Sequence, residues 1–180
     1  MSPTLDRAAI VEALEALDRE LRKQGRRTHI YVYGGACVSL SFDRSRVTGD
    51  IDVHVRDEHG AVQEAILKIA RERAWPTTWM NEQGTQKLPR TTDQRARVLY
   101  QSPHLVVTGA SAEHIIAMKM RAGRDIDWED IERVAGRRGI ESASELERIH
   151  DAVFPGEALP ERSKIRLREW RSREGRGSTG

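Results

Sequence analysis

At 180 residues the chain is long enough for one domain, or one domain with a helical appendage. A charged fraction of 32% and an aromatic fraction of 5% describe a polar chain with a modest core, and a formal net charge of +2 gives no global attraction to nucleic acid. The single cysteine, Cys37, excludes an intramolecular disulfide and a cysteine-based zinc cluster. No apolar run approaches the roughly 18 residues of a membrane span, and Asp6, Glu12 and Glu15 stand where a signal peptide is apolar. A cytoplasmic protein without a membrane partner is expected.

In chain order, residues 5–24 have the spacing of an amphipathic helix, with Ile10, Leu14, Leu17 and Leu21 on one face, Thr4 as N-cap and Gly25 as stop. His29-Ile30-Tyr31-Val32-Tyr33 is β-branched and aromatic, which predicts a strand. Gly34-Gly35 turns that strand into a short helix over 36–42. A loop carrying Arg44, Arg46 and Thr48 leads to a second strand over 50–56. Residues 60–73 repeat the helical pattern through Val62, Ile66, Ile69 and Ala70, and the polar stretch from Asn81 to Gln94 has no clear assignment. Two short strands are predicted over 96–100 and 104–107, then helices from Ser111 to 122, 125 to 135, Ser142 or Ser144 to about 155, and 160 to 173. The expected tail, Gly175 to Gly180, is disordered. Together these elements predict an α+β fold: a small mixed sheet with flanking helices and a helical C-terminal half. The division expected is a core over 1–110, a helical part over 111–174 that completes a cleft, and the tail.

The chemistry-bearing pattern is Gly34-Gly35 closing one strand, followed by Asp50-Ile51-Asp52 in the next. Glycines at a strand end let backbone approach phosphate closely, and the helix that follows offers free N–H groups. Alternate residues of a strand share a face, so Asp50 and Asp52 point the same way, roughly 7 Å apart. Paired carboxylates repel unless a cation lies between them, and hard oxygen ligands suit Mg2+, which also neutralises nucleotide phosphates. The alternative for Asp50 is a turn cap after Gly49, which leaves Asp52 unexplained. From Glu161 to Arg176, seven basic residues face three acidic ones, either as a solvated face with Ile165, Leu167 and Trp170 packed inward or as a phosphate-backbone contact. Trp75 and Trp79 are expected in the core, and His54 is either a solvated edge residue or a substrate contact.

Three blocks in order resemble the AbiEii-like toxin nucleotidyltransferases, of the polymerase-β-type nucleotidyltransferase fold. They are Gly34-Gly35, then Arg46-Val-Thr48-Gly-Asp50-Ile-Asp52-Val, then Ala117-Met-Lys119-Met-Arg121-Ala-Gly-Arg124-Asp-Ile-Asp127-Trp-Glu-Asp130-Ile131. The resemblance implies a Mg2+-dependent transfer of a nucleoside monophosphate from an NTP to an acceptor hydroxyl. Asp50 and Asp52 would hold the metal, Gly34, Gly35, Arg46, Thr48 and Lys119 would contact the nucleotide, and Asp127 would place Lys119 or the attacking hydroxyl. It further implies a toxin with a cognate antitoxin protein and an RNA acceptor, a tRNA end among the candidates. The helix around Lys119 is apolar at Ile115, Ile116, Met118 and Met120, so its ammonium is expected to emerge at a cleft edge.

One departure stands out. The full site of this fold has a third carboxylate on a later strand, yet the strands predicted over 96–100 and 104–107 hold no Asp or Glu. The base is then Asp127, Asp130 or Glu113, or the activity is lost. Two other functions therefore stay open: a catalytically degenerate module that binds nucleotide or a partner, and a transferase acting on a protein or small molecule.

Overall fold

A computed structural model describes residues 3–177, which form two compact units, 3–86 with Arg95–Ala110, and Lys87–Gln94 with 111–177. The first unit is built on a five-stranded mixed sheet. Its strands are β1 (Thr28–Tyr33), β2 (Ile51–Val55), β3 (Met80–Asn81), β4 (Arg97–Gln101) and β5 (Leu105–Gly109), in the order β3-β2-β1-β5-β4. β1 runs antiparallel to β2 and parallel to β5. β3 is parallel to β2, and β4 closes the other edge antiparallel to β5.

Three helices belong to this unit: α1 (Arg7–Lys23), α2 (Gly34–Ser41) and α3 (His59–Arg73). The periodic residues of α1 and α3 are all buried, from Ile10, Leu14, Leu17 and Leu21 to Val62, Ile66, Ile69 and Ala70. Glu20 on α1 bridges Lys23 and, at 2.6 Å, Lys68 of α3. Asp6, not Thr4, caps α1 by accepting from the Ala9 N–H at 2.8 Å. The cap falls two residues late because Leu5 is spent elsewhere: it pairs with Thr48 through two backbone bonds of 2.8 and 2.9 Å and is fully buried. Trp79 is also buried and donates to the Ile66 carbonyl at 3.1 Å, with Trp75 against it. Cys37 lies in the core, its thiol directed to the Ala110 carbonyl at 3.4 Å.

Helices form the second unit: α4 (Ala112–Ala122), α5 (Asp125–Arg138), α6 (Ala143–Val153) and α7 (Glu161–Gly177). Ser111 caps α4 and Ser142 caps α6, each accepting a backbone N–H three residues on. The segment 87–94 belongs here because Asp93 accepts the Ser111 N–H at 2.8 Å and Thr91 donates to the Val153 carbonyl at 2.8 Å. Ala117, Val153 and Phe154 form a small core, lined by Met118 and Ile149. In α7, Leu167 is buried while Ile165 is exposed, so the inward stripe is narrower than the sequence predicts. Residues 175–177 continue α7 where a disordered tail is expected, and residues 178–180 of that tail lie outside the described residues. Among the described residues, no helix is long and apolar enough to cross a membrane.

Candidate functional site

β2 places the first carboxylate by its pleat. Ile51, Val53 and Val55 are buried, while Asp52 and His54 are half-buried on the opposite face. Tyr33 of β1 lies directly across from Asp52 in the antiparallel pair, and Asn81 of β3 directly across on the other side. Asp50 immediately precedes β2, and its Oδ2 accepts from Asn81 Nδ2 at 3.4 Å. Asn81 thus joins both carboxylates on one face, as the period-2 spacing requires.

The glycine turn closes over the same face. Gly34 has φ +65°, and a Cβ there would stand 3.2 Å from Asp52 Cγ and closer still to Oδ2. Only a residue without a side chain lets backbone come this near a carboxylate while adopting a left-handed conformation. At Gly35 a Cβ would meet Thr48 Oγ1 at 2.8 Å and Arg46 Nη2 at 3.5 Å. Leu5 pins Thr48 by its two backbone bonds, which fixes the loop that carries Arg46 and Thr48 against the turn. The first turn of α2 has no side-chain cap, since its N-cap position is Tyr33. Its leading N–H groups are the kind that accept an anion. Gly34, Gly35, Arg46, Thr48, Asp50 and Asp52 therefore converge; spacing predicts the shared face of the two aspartates, and the resemblance implies the rest of the group.

Gly34→Ala is expected to cost about 1–2 kcal/mol through its backbone alone, and more because Asp52 must move. Gly25 also has positive φ, +62°, but nothing lies within 4 Å of its would-be Cβ. Thermal melts of Gly25→Ala and Gly34→Ala thus separate the two costs, with the Gly34 variant expected to be the less stable.

Three residues at this face escape sequence reasoning. Asn81 and Glu82 fall at the start of the unassigned stretch, and a two-residue strand is too short to show a period. Glu82 Oε1 accepts the Val55 N–H at 2.8 Å and its Oε2 lies 3.2 Å from His59 Nδ1, so it ties the chain after β3 to the end of β2. His54 Nδ1 stands 3.7 Å from Glu82, beside the carboxylate rather than open to solvent on all sides. Tyr33 was legible only as a strand residue. Its hydroxyl is shut off from water beside the Thr85 hydroxyl, which is itself directed to the Val53 carbonyl at 3.5 Å. Burial first, and then the carboxylates of Asp52, Glu82 and Asp50 against the lowering contact with Thr85, push the Tyr33 phenol up to about 12. It is a neutral proton donor at any physiological pH.

Lys119 and Asp127 meet in the second unit. Lys119 Nζ lies 3.0 Å from Asp127 Oδ1 and 2.8 Å from Asp130 Oδ2, with exposures of 7%, 1% and 0% for the three residues. Its ammonium is thus enclosed between two aspartates instead of emerging at an edge. The apolar neighbours that suggested an edge are the walls of a buried pair, and the partners come from the first turns of α5. Arg124 holds Asp127 through Nε at 2.7 Å and Nη2 at 3.1 Å, and Arg133 holds Asp130 at 3.1 Å. Burial would raise the Asp127 carboxyl, but the Arg124 and Lys119 bonds outweigh it and hold it below its usual 3.8. A carboxyl lowered by folding stabilises the fold above its unfolded value, and that contribution drains away as pH falls through the folded one. Acid titration of helicity is therefore expected to show a loss below about pH 4 that Asp127→Asn removes.

The Ser111, His114 and Asp93 cluster has the composition of a nucleophile triad but not its geometry. Ser111 Oγ and Asp93 Oδ1 both approach His114 Nδ1, at 3.2 and 3.4 Å, while Nε2 faces the Thr91 carbonyl. It is a helix cap. The basic face of α7 is likewise committed: Arg166 pairs with Asp125 at 2.7 Å, Arg173 with Glu132 at 3.0 Å, Arg168 with Glu161, and Arg171 with Glu147. No group of three His, Cys, Asp or Glu side chains among the described residues is placed to hold a metal together.

A small mixed sheet with flanking helices, a glycine turn and an Asp-x-Asp strand is consistent with a nucleotidyltransferase-like fold. Residues 11–92 match the model of a family described as "Nucleotidyl transferase of unknown function (DUF2204)". That stretch contains Gly34, Gly35, Arg46, Thr48, Asp50, Asp52 and Asn81, and it ends before Lys119 and Asp127. No curated protein and no solved structure matches the chain.

Proposed function

We propose that the protein is a metal-dependent nucleotidyltransferase that moves a nucleoside monophosphate from an NTP to an acceptor hydroxyl. The observation that carries this reading is the approach of the Gly34 backbone to Asp52, which sets a phosphate-type turn against a carboxylate pair. Asp50 and Asp52 fit a Mg2+ ion as half-buried oxygen donors on one face, and would hold it where it neutralises phosphate charge and lowers the barrier to displacement. The Gly34-Gly35 turn and the uncapped start of α2 bind the triphosphate through backbone N–H groups. Arg46, braced over Gly35, adds a guanidinium to the same phosphates. Thr48 supports the turn from beneath. The acceptor oxygen bonds to the α-phosphorus as its proton passes to solvent, the bond from the α-phosphorus to the α–β bridging oxygen breaks, and pyrophosphate leaves with the bonding pair.

In this reading the reaction belongs to the first unit. Lys119 and Asp127 serve the second unit as the ion pair that fixes α5 on α4, since a lysine already flanked by two carboxylates offers little charge to a phosphate. The resemblance to AbiEii-like toxins supports a finer proposal: the acceptor is the end of an RNA, tRNA among the candidates, in a toxin held in check by an antitoxin protein. Incubation of the purified protein with labelled NTPs and total RNA tests it. Labelled RNA supports the finer reading; label on protein or on a small molecule moves the acceptor; no label on any species sinks the transfer itself.

A further inference from the structure

We propose that Asn81 is a positioning residue of the carboxylate site, orienting Asp50 so that the nucleotide-free protein takes up a single divalent cation. The inference rests on the preceding reading only in taking Asp50 and Asp52 as the pair that holds the cation.

Asn81 and Asp52 are direct partners in the parallel pair β2–β3, so their side chains stand abreast on one face. The strand beside Asp52 thus presents an amide and no carboxylate at this position. The orientation of the amide follows from its bonds. Oδ1 accepts from the Gln83 N–H at 3.1 Å, which turns Nδ2 toward Asp50 Oδ2, at 3.4 Å, and the Thr78 carbonyl, at 3.2 Å. With Oδ1 held by the Gln83 N–H, the amide presents its Nδ2 to Asp50 as a donor. Asp50 stands just outside β2 and lacks the ladder that fixes Asp52, so this bond defines where its carboxylate points.

Tyr33, on the other side of Asp52, carries a hydroxyl shut off from water against Gly84 and Thr85, so the turn that follows Asn81 is packed against the neighbour of Asp52.

The test is Mn2+ binding to the full chain without nucleotide, followed by calorimetry, for the wild type, Asn81→Leu, Asn81→Asp and Asp50→Asn. Melting curves in chelator establish that each variant is folded. The wild type is expected to bind one Mn2+ per chain. Asn81→Leu should bind about tenfold or more weakly, the range found when a partner of a metal-holding group is removed. Asn81→Asp should bind about tenfold or more tightly, because a negative charge is added beside the cation. Opposite shifts from one position are not produced by an asparagine that merely ties down the chain after β3. Equal affinity in all three folded proteins overturns the proposal, as does uptake of two Mn2+ by the wild type. If Asn81→Leu does not fold, an affinity of Asn81→Asp no tighter than the wild type overturns it alone. A wild type that binds no Mn2+ defeats this inference and the metal part of the function together. Binding that Asp50→Asn abolishes, without nucleotide transfer by the wild type, defeats the transfer and leaves the role of Asn81 standing.

Discussion

Asp52→Asn is expected to lower nucleotide transfer by roughly a thousandfold while leaving the fold intact. The substitution keeps the size and shape of the side chain and removes its charge. Loss of a ligand that concentrates positive charge at a reacting phosphate forgoes several kcal/mol, and about 4 kcal/mol is a factor of roughly a thousand in rate. Stability should move the other way. Asp50 and Asp52 repel each other in the absence of a cation, so a melt in chelator should find Asp52→Asn at or above the wild-type midpoint. A variant that loses activity and stability together would instead mark Asp52 as a structural residue whose partner is the Gly34 turn.

Lys119→Met is expected to have the largest effect on stability. It leaves the carboxylates of Asp127 and Asp130, at 1% and 0% exposure, without the ammonium between them. Breaking a buried pair by removing one partner costs about 3–5 kcal/mol, or roughly 6–20 °C of melting temperature in a chain of this size. Arg124 and Arg133 stay in place and hold the outer oxygens, so the loss should fall near the lower end. Adding Asp127→Asn and Asp130→Asn to Lys119→Met removes the unpaired charges and should recover most of the deficit. Chemical denaturation of the single and triple variants measures both. A Lys119→Met protein as stable as the wild type but inactive would return Lys119 to the catalytic role implied by family resemblance.

The site was legible where chemistry is written in local spacing. Asp50-Ile51-Asp52-Val53 shows its two faces in a period of two, and Gly34-Gly35 sits at the end of an apolar strand, so both ends of the six-residue convergence are visible in one stretch of chain. Capping was legible at Ser111 for the same reason, and at Ser142 only as one of two serines, Ser142 and Ser144. Thr4 misled because two cap-forming residues lie two positions apart, and the pairing of Leu5 with Thr48, 43 residues on, decides between them. Asn81 and Glu82 were illegible because their meaning lies in register. A two-residue strand has no period of its own, and nothing local says that it pairs with β2. Lys119 shows the limit of a helix read alone: its apolar neighbours indicate burial, while the aspartates that neutralise it come from the next helix. The basic stretch of α7 has the same explanation, with its acidic partners distributed over α5, α6 and its own first turn.

The central claim is that the group transferred is a nucleoside monophosphate. Parallel reactions with α-labelled and γ-labelled NTP, in the presence of the acceptor, separate nucleotidyl from phosphoryl transfer in one measurement. The account predicts α label on the acceptor and γ label in released pyrophosphate, both absent with Asp52→Asn. γ label on the acceptor, or transfer that survives in Asp52→Asn, would contradict it.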